Sequence, residues 1–564
     1  MFKQELSLLL SKNISLKKEE IFRLIEIPLP DFGDYSFPCF ILAKKLKKDP
    51  KKIAEDLQKQ IKPTKEFERI QAVNGYLNFS VNRKIFAEKV LNQIFKEKDK
   101  YGYAKDKNKK VVIESPGPNT NKPLHLGHLR NMALGISLSN ILKAAGYKVV
   151  NVDIVNNRGI HIVKSTLAYK KYGNNKKPNK KSDHFVGDFY VLYAKKEKEH
   201  PELQEELKEM LRKYEAKDPK TLALIKKLND WALKGIYETY KKYGMHIDKT
   251  YYESEHYEKG KKLVQEYLKK GLFEKKKDGS ISINLEEQGL GEKVLLRSDG
   301  TCLYITQDLY LAIKRYQDFK PDKMIYIVGS EQIYHFKVLF TLLKKMKYKF
   351  ADNYIHFPYG MVYLPEGKMK SREGTVVDVD NLLHNIKEMA KKEILTRDKK
   401  INKKELEARA EKIAFAAINF YILKFDALKD FTYKPEESLS FEGETGLYIQ
   451  YAYARASSIL RNAKQKPKYS NKIIKIQEQQ EHLLVKELSQ FPELVQNAAE
   501  KLKPDLIANY TYKLAQTFTS FYTNLKVLTQ NKEEREERLL LTEAAKQVLA
   551  NSLELLNIKT LEKM

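Results

Sequence analysis

VVIESPGPNTNKPLHLGHLRNMALGISLSNILKAAG, residues 111 to 146, decides how the rest of the chain is read. Val111, Val112 and Ile113 are a short apolar run of the kind a buried strand needs. A turn rich in Pro, Gly and Asn follows. Leu126, Leu129, Met132, Ala133 and Ile136 then recur at helical spacing, and Gly146 stands where such a helix would end. Strand, turn and helix in this order open a nucleotide-binding α/β sheet. His125 and His128 are three residues apart, on one face at the helix start, with Gly127 between them. Unpaired N–H groups and the helix dipole favour an anion there, and imidazoles add donors for phosphate oxygens. Gly127 has no Cβ, so a base or ribose can lie against the backbone.

A chain of 564 residues is too long for one core and suits about three or four domains. Charged residues make up 32% and no apolar run approaches a membrane span, so a soluble protein without a membrane partner is expected. MFKQELSLLLSKN lacks a secretory apolar core and cleavage site, which points to the cytoplasm. Cys39 and Cys302 are too few for a disulfide framework or a Cys-rich zinc site, so no structural metal is expected. The net charge of +30, from 104 basic and 74 acidic residues, favours a polyanionic partner through counterion release. Lysine greatly outnumbers arginine, as an AT-rich genome would also produce, so charge alone only leans towards nucleic acid.

HLGH is a form of the HxGH signature of class I aminoacyl-tRNA synthetases and related nucleotidylyltransferases. Four residues match easily by chance, but SPGPNTNKPLHLGHLRN is a long and specific match. It resembles the corresponding segment of arginyl-tRNA synthetases. The fold implied is multidomain α/β: a Rossmann-like class I catalytic domain with a helical insertion, a small α+β N-terminal domain and an all-α C-terminal anticodon-binding bundle. The corresponding ranges are 1–100, 101–365 with the insertion at about 165–295, a KMSKS-loop and stem-contact region at 366–435, and 436–564.

Taken in order, ILAKKLKKDPKKIAEDLQKQI is helical in pattern with a break at Asp49–Pro50, and AVNGYLNFSVN alternates as strands around a glycine turn. PDFGDYSFPCFILAKKL resembles the family's N-terminal domain, which touches the tRNA elbow. The resemblance implies Tyr76 and Asn78 as contacts to a D-loop base; simple alternation in and out of a sheet explains Tyr76 and Leu77 equally well. KVVNVDIV reads as the second parallel strand, and amphipathic helices follow from Phe185 to about Lys249. The lysine-rich stretch from Lys170 to Ser182 fits a solvated loop better than an RNA contact. The sheet is expected to resume with SISINL, KVLLRSDG, TCLYITQDLYLAI and KMIYIVGSEQIYHFKVLFTLL.

Tyr304 and Asp308 in YITQD and Gln332 in GSEQIYHFK recur in arginyl-tRNA synthetases at matching spacing. With Glu114 and Asn119 they fall on the positions that the family uses to hold arginine. A guanidinium is a flat cation with five donors, so its pocket needs carboxylates and an aromatic face. Asp308 and Glu114 would supply charge, Tyr304 a wall or hydroxyl, and Gln332 and Asn119 amides. Which carboxylate meets the guanidinium and which the α-amino group stays open. Buried charge pairs reject an isostere without the donors, which reduces the need for an editing domain.

KMKSREG occupies the place of the KMSKS loop, where Lys368, Ser371 and Arg372 could stabilise charge on the pyrophosphate. Aligned on Met369, the second lysine of that signature is replaced by Ser371, and Lys122 is a candidate to supply the missing charge. The ATP site implied by the resemblance comprises His125, Gly127, His128, Met361, Lys368 and Met369. YIQYAYARASSILRNA, FTSFYTNLKVL and VLANSLELLNIKTLEKM resemble anticodon-domain helices, with Tyr451, Arg455, Tyr522, Asn524 and Lys526 as candidate tRNA contacts. More of these are expected to pack than to bind.

The activity implied is ligation of arginine to its tRNA. Arginyl-adenylate is made from arginine and ATP, with Mg²⁺ held mainly by ATP oxygens, and arginine passes to the 2′-OH of the terminal adenosine. The family resemblance further implies a monomer and activation that requires bound tRNA. Other class I synthetases share both signatures but not the arginine-pocket set. An inactive RNA-binding paralogue would be expected to break signature or pocket positions. A stand-alone nucleotidylyltransferase leaves the helical C-terminal region unexplained.

Overall fold

In the first hundred residues, period-two alternation produces a three-stranded antiparallel sheet. Its strands are β1 (Tyr35–Pro38), β2 (Phe67–Val73) and β3 (Tyr76–Val81), in the order β1-β3-β2. Asn74 and Gly75 both take positive φ, as a tight hairpin between β2 and β3 requires. Phe37, Leu77 and Phe79 are fully buried. The Asp-Pro break is a helix start: Asp49 caps the helix Pro50–Gln60 by accepting from the Lys51 N–H at 2.7 Å.

The computed structural model describes residues 2–363, 365, 378–440, 442–463 and 475–564. The chain divides into two compact units. One comprises Met1–Tyr101, Arg455–Phe491 and Leu514–Leu549, the other Gly102–Ala454, Pro492–Lys513 and Ala550–Met564. Within the first unit His482 Nε2 lies 2.8 Å from Asp34 Oδ1, both buried, and the Tyr101 hydroxyl donates to the Leu488 carbonyl at 2.9 Å.

The second unit is built on the strand, turn and helix read above. β4 (Lys110–Glu114) and β5 (Lys148–Val155) pair in parallel, joined by the helix Leu126–Ala144. Four helices, Ile160–Tyr172, Ser182–Glu199, Leu203–Glu215 and Pro219–Tyr243, then intervene before β6 (Lys249–Tyr252) joins β5. β7 (Glu274–Lys275), β8 (Ile281–Asn284) and β9 (Glu292–Leu296) follow, and β10 (Lys323–Gly329) and β11 (Tyr354–Tyr359) complete the parallel sheet on the other side of β4. The order is β11-β10-β4-β5-β6. It reverses between β4 and β10, the point at which open α/β sheets leave a crevice beyond their strand ends.

Two expectations are corrected. SISINL and KVLLRSDG contribute to a separate antiparallel sheet, β7-β8-β9, and YITQDLYLAI is not a strand but the start of the helix Tyr304–Phe319. Ile305, Leu309, Ala312 and Ile313 are its buried stripe, a helical spacing that outweighs the strand propensity of Tyr, Ile and Thr.

The helix Leu126–Ala144 is buried almost all round, against β10 on one side and the helix Lys403–Leu423 on another. At Gly135 a Cβ would lie 2.3 Å from Ser115 Oγ, so glycine permits the approach of this helix to the end of β4. Fully buried Arg130 donates to the carbonyls of Gly360, Met361, Ala427 and Lys429. It thereby pins the helix to the segment after β11 and to the residues before β13 (Phe431–Thr432), which pairs with β12 (Val362–Tyr363). Four further long helices close the chain: Gly446–Asn462, Gln479–Lys501, Pro504–Asn524 and Lys532–Leu555. Among the described residues no helix is long and apolar enough to cross a membrane.

Candidate active site

The C-terminal ends of the parallel strands converge on a cavity of about 450 Å³. Glu114 and Ser115 enter it from β4, Asn156 from the end of β5, Glu253 from the residue after β6, Val328 from β10 and Tyr359 from β11. Gln332 and His335 come from just beyond β10, and Tyr304 and Asp308 are one turn apart on the helix Tyr304–Phe319. Glu114, Asn119, Tyr304, Asp308 and Gln332, distant in sequence, thus line a single cavity. Tyr304 is 72% exposed and stands at its mouth.

Each acidic group there has a distinct environment. Glu114 is buried, which pushes its carboxyl up, while the guanidinium of Arg315 pairs with it and works in the opposite direction. Asp308 Oδ2 lies 2.7 Å from His335 Nε2. Glu253 is buried, and burial raises its carboxyl above the ordinary range. Arg158 lines the cavity, but its Nη2 donates to Glu215 at 2.6 Å and its guanidinium lies 3.7 Å above the Tyr257 ring. Both arginines are therefore already matched by carboxylates, and among the described residues no arginine forms an ion pair with Asp308 or Glu253. The charge of Glu114 is thus answered by Arg315, and Glu253 lines the cavity with Asp308.

The turn between β4 and the signature helix is laced to β5. Asp153 accepts from the Gly117 N–H at 3.0 Å and from the Tyr240 hydroxyl at 2.9 Å, and burial pushes its carboxyl up to about 7. The Thr120 N–H donates to the Asn156 carbonyl at 3.2 Å, and Asn156 returns its N–H to Pro118 at 2.9 Å. Asn119 is exposed on this frame, facing the cavity.

At the helix start His125 is the N-cap and His128 the third helical residue. His125 Nδ1 accepts from the Gly127 N–H at 3.1 Å, and the His125 N–H donates to His128 Nδ1 at 3.2 Å. The ring centroids are 3.9 Å apart. With both Nδ1 atoms accepting, the proton of each ring is placed on Nε2. Burial, with Lys122 nearby, pushes His125 down to about 3, and burial beside His125 and Lys122 holds His128 well below the ordinary imidazole range. The pair therefore offers neutral Nε2–H donors. A Cβ at Gly127 would lie 3.0 Å from His125 Cε1, so glycine also makes room for the capping ring.

Lys122 is the cation at this end. It is half-buried, burial lowers its ammonium, and among the described residues no carboxylate pairs with it. Met361 is fixed by its N–H to Asp430 Oδ1 at 2.6 Å and by its carbonyl to Arg130 at 3.3 Å. Lys368, Met369, Ser371 and Arg372 lie outside the described residues. On their far side the Val379 N–H donates to the Leu124 carbonyl at 2.9 Å, and Asp378 bridges to His125.

Asp183, His184 and Asp380 bring ligand-type atoms within 4.8 Å of one another, but Lys181 Nζ donates to both carboxylates, at 2.7 and 2.8 Å. Burial works to raise Asp380, yet His184 and Lys181 hold it down at about 2. An ammonium already meets this acidic group, so the donor set suits an ion-pair network tying the inserted helices to the helix Val379–Arg397.

Of the candidate RNA contacts, Tyr76 is half-buried with its ring edge on Phe40 at 5.1 Å, and Asn78 is buried. Arg455 is exposed, with its guanidinium 5.6 Å from the half-buried Tyr522 ring, and Tyr451 is half-buried. Asn524 and Lys526 are exposed, although Asn524 donates to the Ser520 carbonyl at 2.8 Å.

Sequence reasoning did not single out Arg315, Glu253, His335, Arg158 or Arg130. The signal for Glu253 was present, because it directly follows β6 and strand ends are where such sheets bind. The others act through partners that only the fold supplies.

Known proteins resemble this chain along its length. Residues 90–434 match the catalytic domain of "tRNA synthetases class I (R)", residues 449–564 the "DALR anticodon binding domain", and residues 1–81 the "Arginyl tRNA synthetase N terminal domain". The arginine–tRNA ligase of Treponema denticola is 44% identical over 553 residues, covering 95% of this chain and 94% of its own. That of Borrelia hermsii is 42% identical and covers 100% and 99%. Among solved structures, the arginyl-tRNA synthetase of Thermus thermophilus superposes with a TM-score of 0.86 at 25% identity over the full length of both chains. The chain belongs to the arginyl-tRNA synthetase family.

Proposed function

We propose that this chain ligates arginine to its tRNA in two steps, using the crevice at the sheet's switch point for both. In the first, an oxygen of the arginine carboxylate attacks the α-phosphorus of ATP in line, and diphosphate leaves with the electron pair of the broken P–O bond. In the second, the 2′-OH of the terminal adenosine of tRNA attacks the adenylate carbonyl, and AMP leaves. Neither step needs a protein nucleophile, so the residues work by positioning and by stabilising phosphate charge.

Asp308 and Glu253 take the guanidinium end, because both are acidic, line the cavity and, among the described residues, form no ion pair with an arginine. Tyr304 provides the wall at the mouth, and Glu114, Asn119 and Gln332 take the amino-acid end. The Nε2–H groups of His125 and His128 and the ammonium of Lys122 face phosphate, with Gly127 and Met361 beside the nucleotide. Lys368, Met369, Ser371 and Arg372 are assigned to the same task on the resemblance of their segment alone. Mg²⁺ arrives on the ATP oxygens and supplies further charge neutralisation. For tRNA, the reading assigns Tyr76 and Asn78 to the elbow, and Tyr451, Arg455, Tyr522, Asn524 and Lys526 to the anticodon side.

The observation that carries the proposal is the acidic cavity at the strand ends of a sheet whose adjoining helix begins with HLGH. The test is ATP–pyrophosphate exchange with purified protein, with arginine and the organism's tRNA added separately and together. Exchange that needs both is expected. Exchange with arginine alone overturns the coupling to tRNA but keeps the pocket. No exchange under any condition, with tRNA binding intact, overturns the catalytic reading in favour of an RNA-binding protein.

A further inference from the structure

Arg315 is 2% exposed and stands behind the cavity on the helix that carries Tyr304 and Asp308. Its guanidinium pairs with the carboxylate of Glu114 and lies against two aromatic rings, 5.2 Å from the centroid of Tyr251 on β6 and 5.5 Å from that of Tyr326 on β10. Tyr326 is the register partner of Glu114 on the neighbouring strand. The Tyr251 hydroxyl donates at 2.7 Å to Asp318, which Lys249 and Lys314 also engage. The guanidinium is thus held by an aromatic slot and a carboxylate at the inner end of a cavity read as an arginine pocket.

Building on that reading, we propose that Arg315 is a positioning residue that keeps Glu114 ionised and aimed at the α-ammonium of bound arginine. A carboxyl buried at a strand end gains a proton readily, and a neutral acid attracts no ammonium. Among the described residues the titratable groups facing Glu114 are Arg315 and Asp308 from the helix, Tyr326 from β10, Asp153 from β5 and Tyr251 from β6. Arg315 is the only cation in that set. From behind the cavity it also answers the charge of Glu114, so a substrate guanidinium is directed towards Asp308 and Glu253. Arg315 touches no reacting atom, and its effect reaches the substrate through Glu114.

The test is steady-state tRNA charging by the full-length protein across pH 6 to 9, comparing wild type with Arg315→Met, Arg315→Lys, Glu114→Gln and the double variant Arg315→Met/Glu114→Gln. Arg315→Met is expected to raise KM for arginine roughly 10- to 100-fold at neutral pH, the loss that follows when a buried carboxyl is left without its partner. KM for ATP should stay within about twofold, the same variation that additive measurements tolerate. As pH rises through the raised carboxyl value, Glu114 ionises and the arginine KM of Arg315→Met should fall. Glu114→Gln should show the loss without that recovery, and the double variant should be no worse than Glu114→Gln. Arg315→Lys, which keeps the charge, should recover most of the affinity. An Arg315→Met profile parallel to wild type, or losses that simply add in the double variant, overturns the proposal. If Arg315→Met does not fold, Arg315→Lys carries the decision. A small loss that recovers with pH supports the role, and no change or a pH-independent loss overturns it. Wild type separates the two failures. Arginine-dependent charging by wild type with a flat Arg315→Met profile overturns the role of Arg315 alone. No arginine-dependent charging by wild type overturns the pocket reading, and this role with it.

Discussion

The two ends of the crevice solve opposite problems with opposite chemistry. At the helix start, the groups proposed to meet phosphate are neutral Nε2–H donors on two tilted imidazoles and an ammonium that, among the described residues, has no carboxylate partner. At the strand ends, the groups proposed to meet arginine are carboxylates, and Arg315 and Arg158 are already paired off. Preorganised dipoles aimed at developing charge need no desolvated cation in the resting protein, whereas a guanidinium is recognised by charge it must find waiting. The difference teaches where each end is vulnerable. The phosphate end depends on geometry, the amino-acid end on charge balance.

The sharpest break is expected at the acidic end. Asp308→Asn should lower kcat/KM for arginine about a thousandfold, near the ~4 kcal/mol that an unmatched buried charge costs, with ATP affinity little changed. Equal losses for both substrates would show that Asp308 does not distinguish the two ends. Next, His128→Ala should lower kcat roughly 10²- to 10³-fold while arginine KM moves by about twofold at most, as removing a transition-state donor does. Because both imidazoles are held below the ordinary range, they stay neutral across neutral pH and gain protons only in more acidic solution. The kcat profile should therefore carry no limb near pH 6.5; a limb there that His128→Gln abolishes would contradict the neutral assignment. Lys122→Met should cost about 10- to 100-fold in kcat, the effect of removing one charged contact to phosphate in a water-poor site. The smallest effect belongs to Gly127→Ala. Its Cβ would meet the His125 ring at 3.0 Å, and a shift of the cap should reduce kcat about fivefold, near 1 kcal/mol of crowding.

What could be read from sequence follows the same division. The strand, turn and helix at 110–144 were readable because every signal is local: an apolar run, punctuating Pro and Gly, and helical period. The parallel partner β5 and the inserted helices were readable for the same reason. SISINL and KVLLRSDG read correctly as strands but were assigned to the wrong sheet, since alternation says nothing about which edge a strand joins. YITQDLYLAI misled through its β-branched and aromatic residues, although its buried positions keep helical spacing. In the site, Glu114 and Asp308 could be singled out through resemblance, but the side chains that meet them could not. Arg315 meets Glu114 across strand and helix, and His335 meets Asp308 from another helix, so neither pairing leaves a mark in any window of sequence. The tautomers of His125 and His128 are equally a product of the folded turn, because they depend on which backbone N–H each ring accepts.

Because the cavity takes one or more groups from the end of each parallel strand, it is also a timer for synthesis. Glu114 leaves the ribosome early, but its neighbour β10 and the Gln332 and Asp308 walls follow only after the long helical insertion, and Tyr359 comes last. Pairings of such sequence separation form late in folding, and a nascent chain holding only β4, β5 and β6 has half a crevice. Arginine therefore cannot act as a ligand chaperone for the first half of the catalytic unit. Its stabilising effect by mass action begins only when the sheet is complete, which makes substrate binding a report on finished molecules.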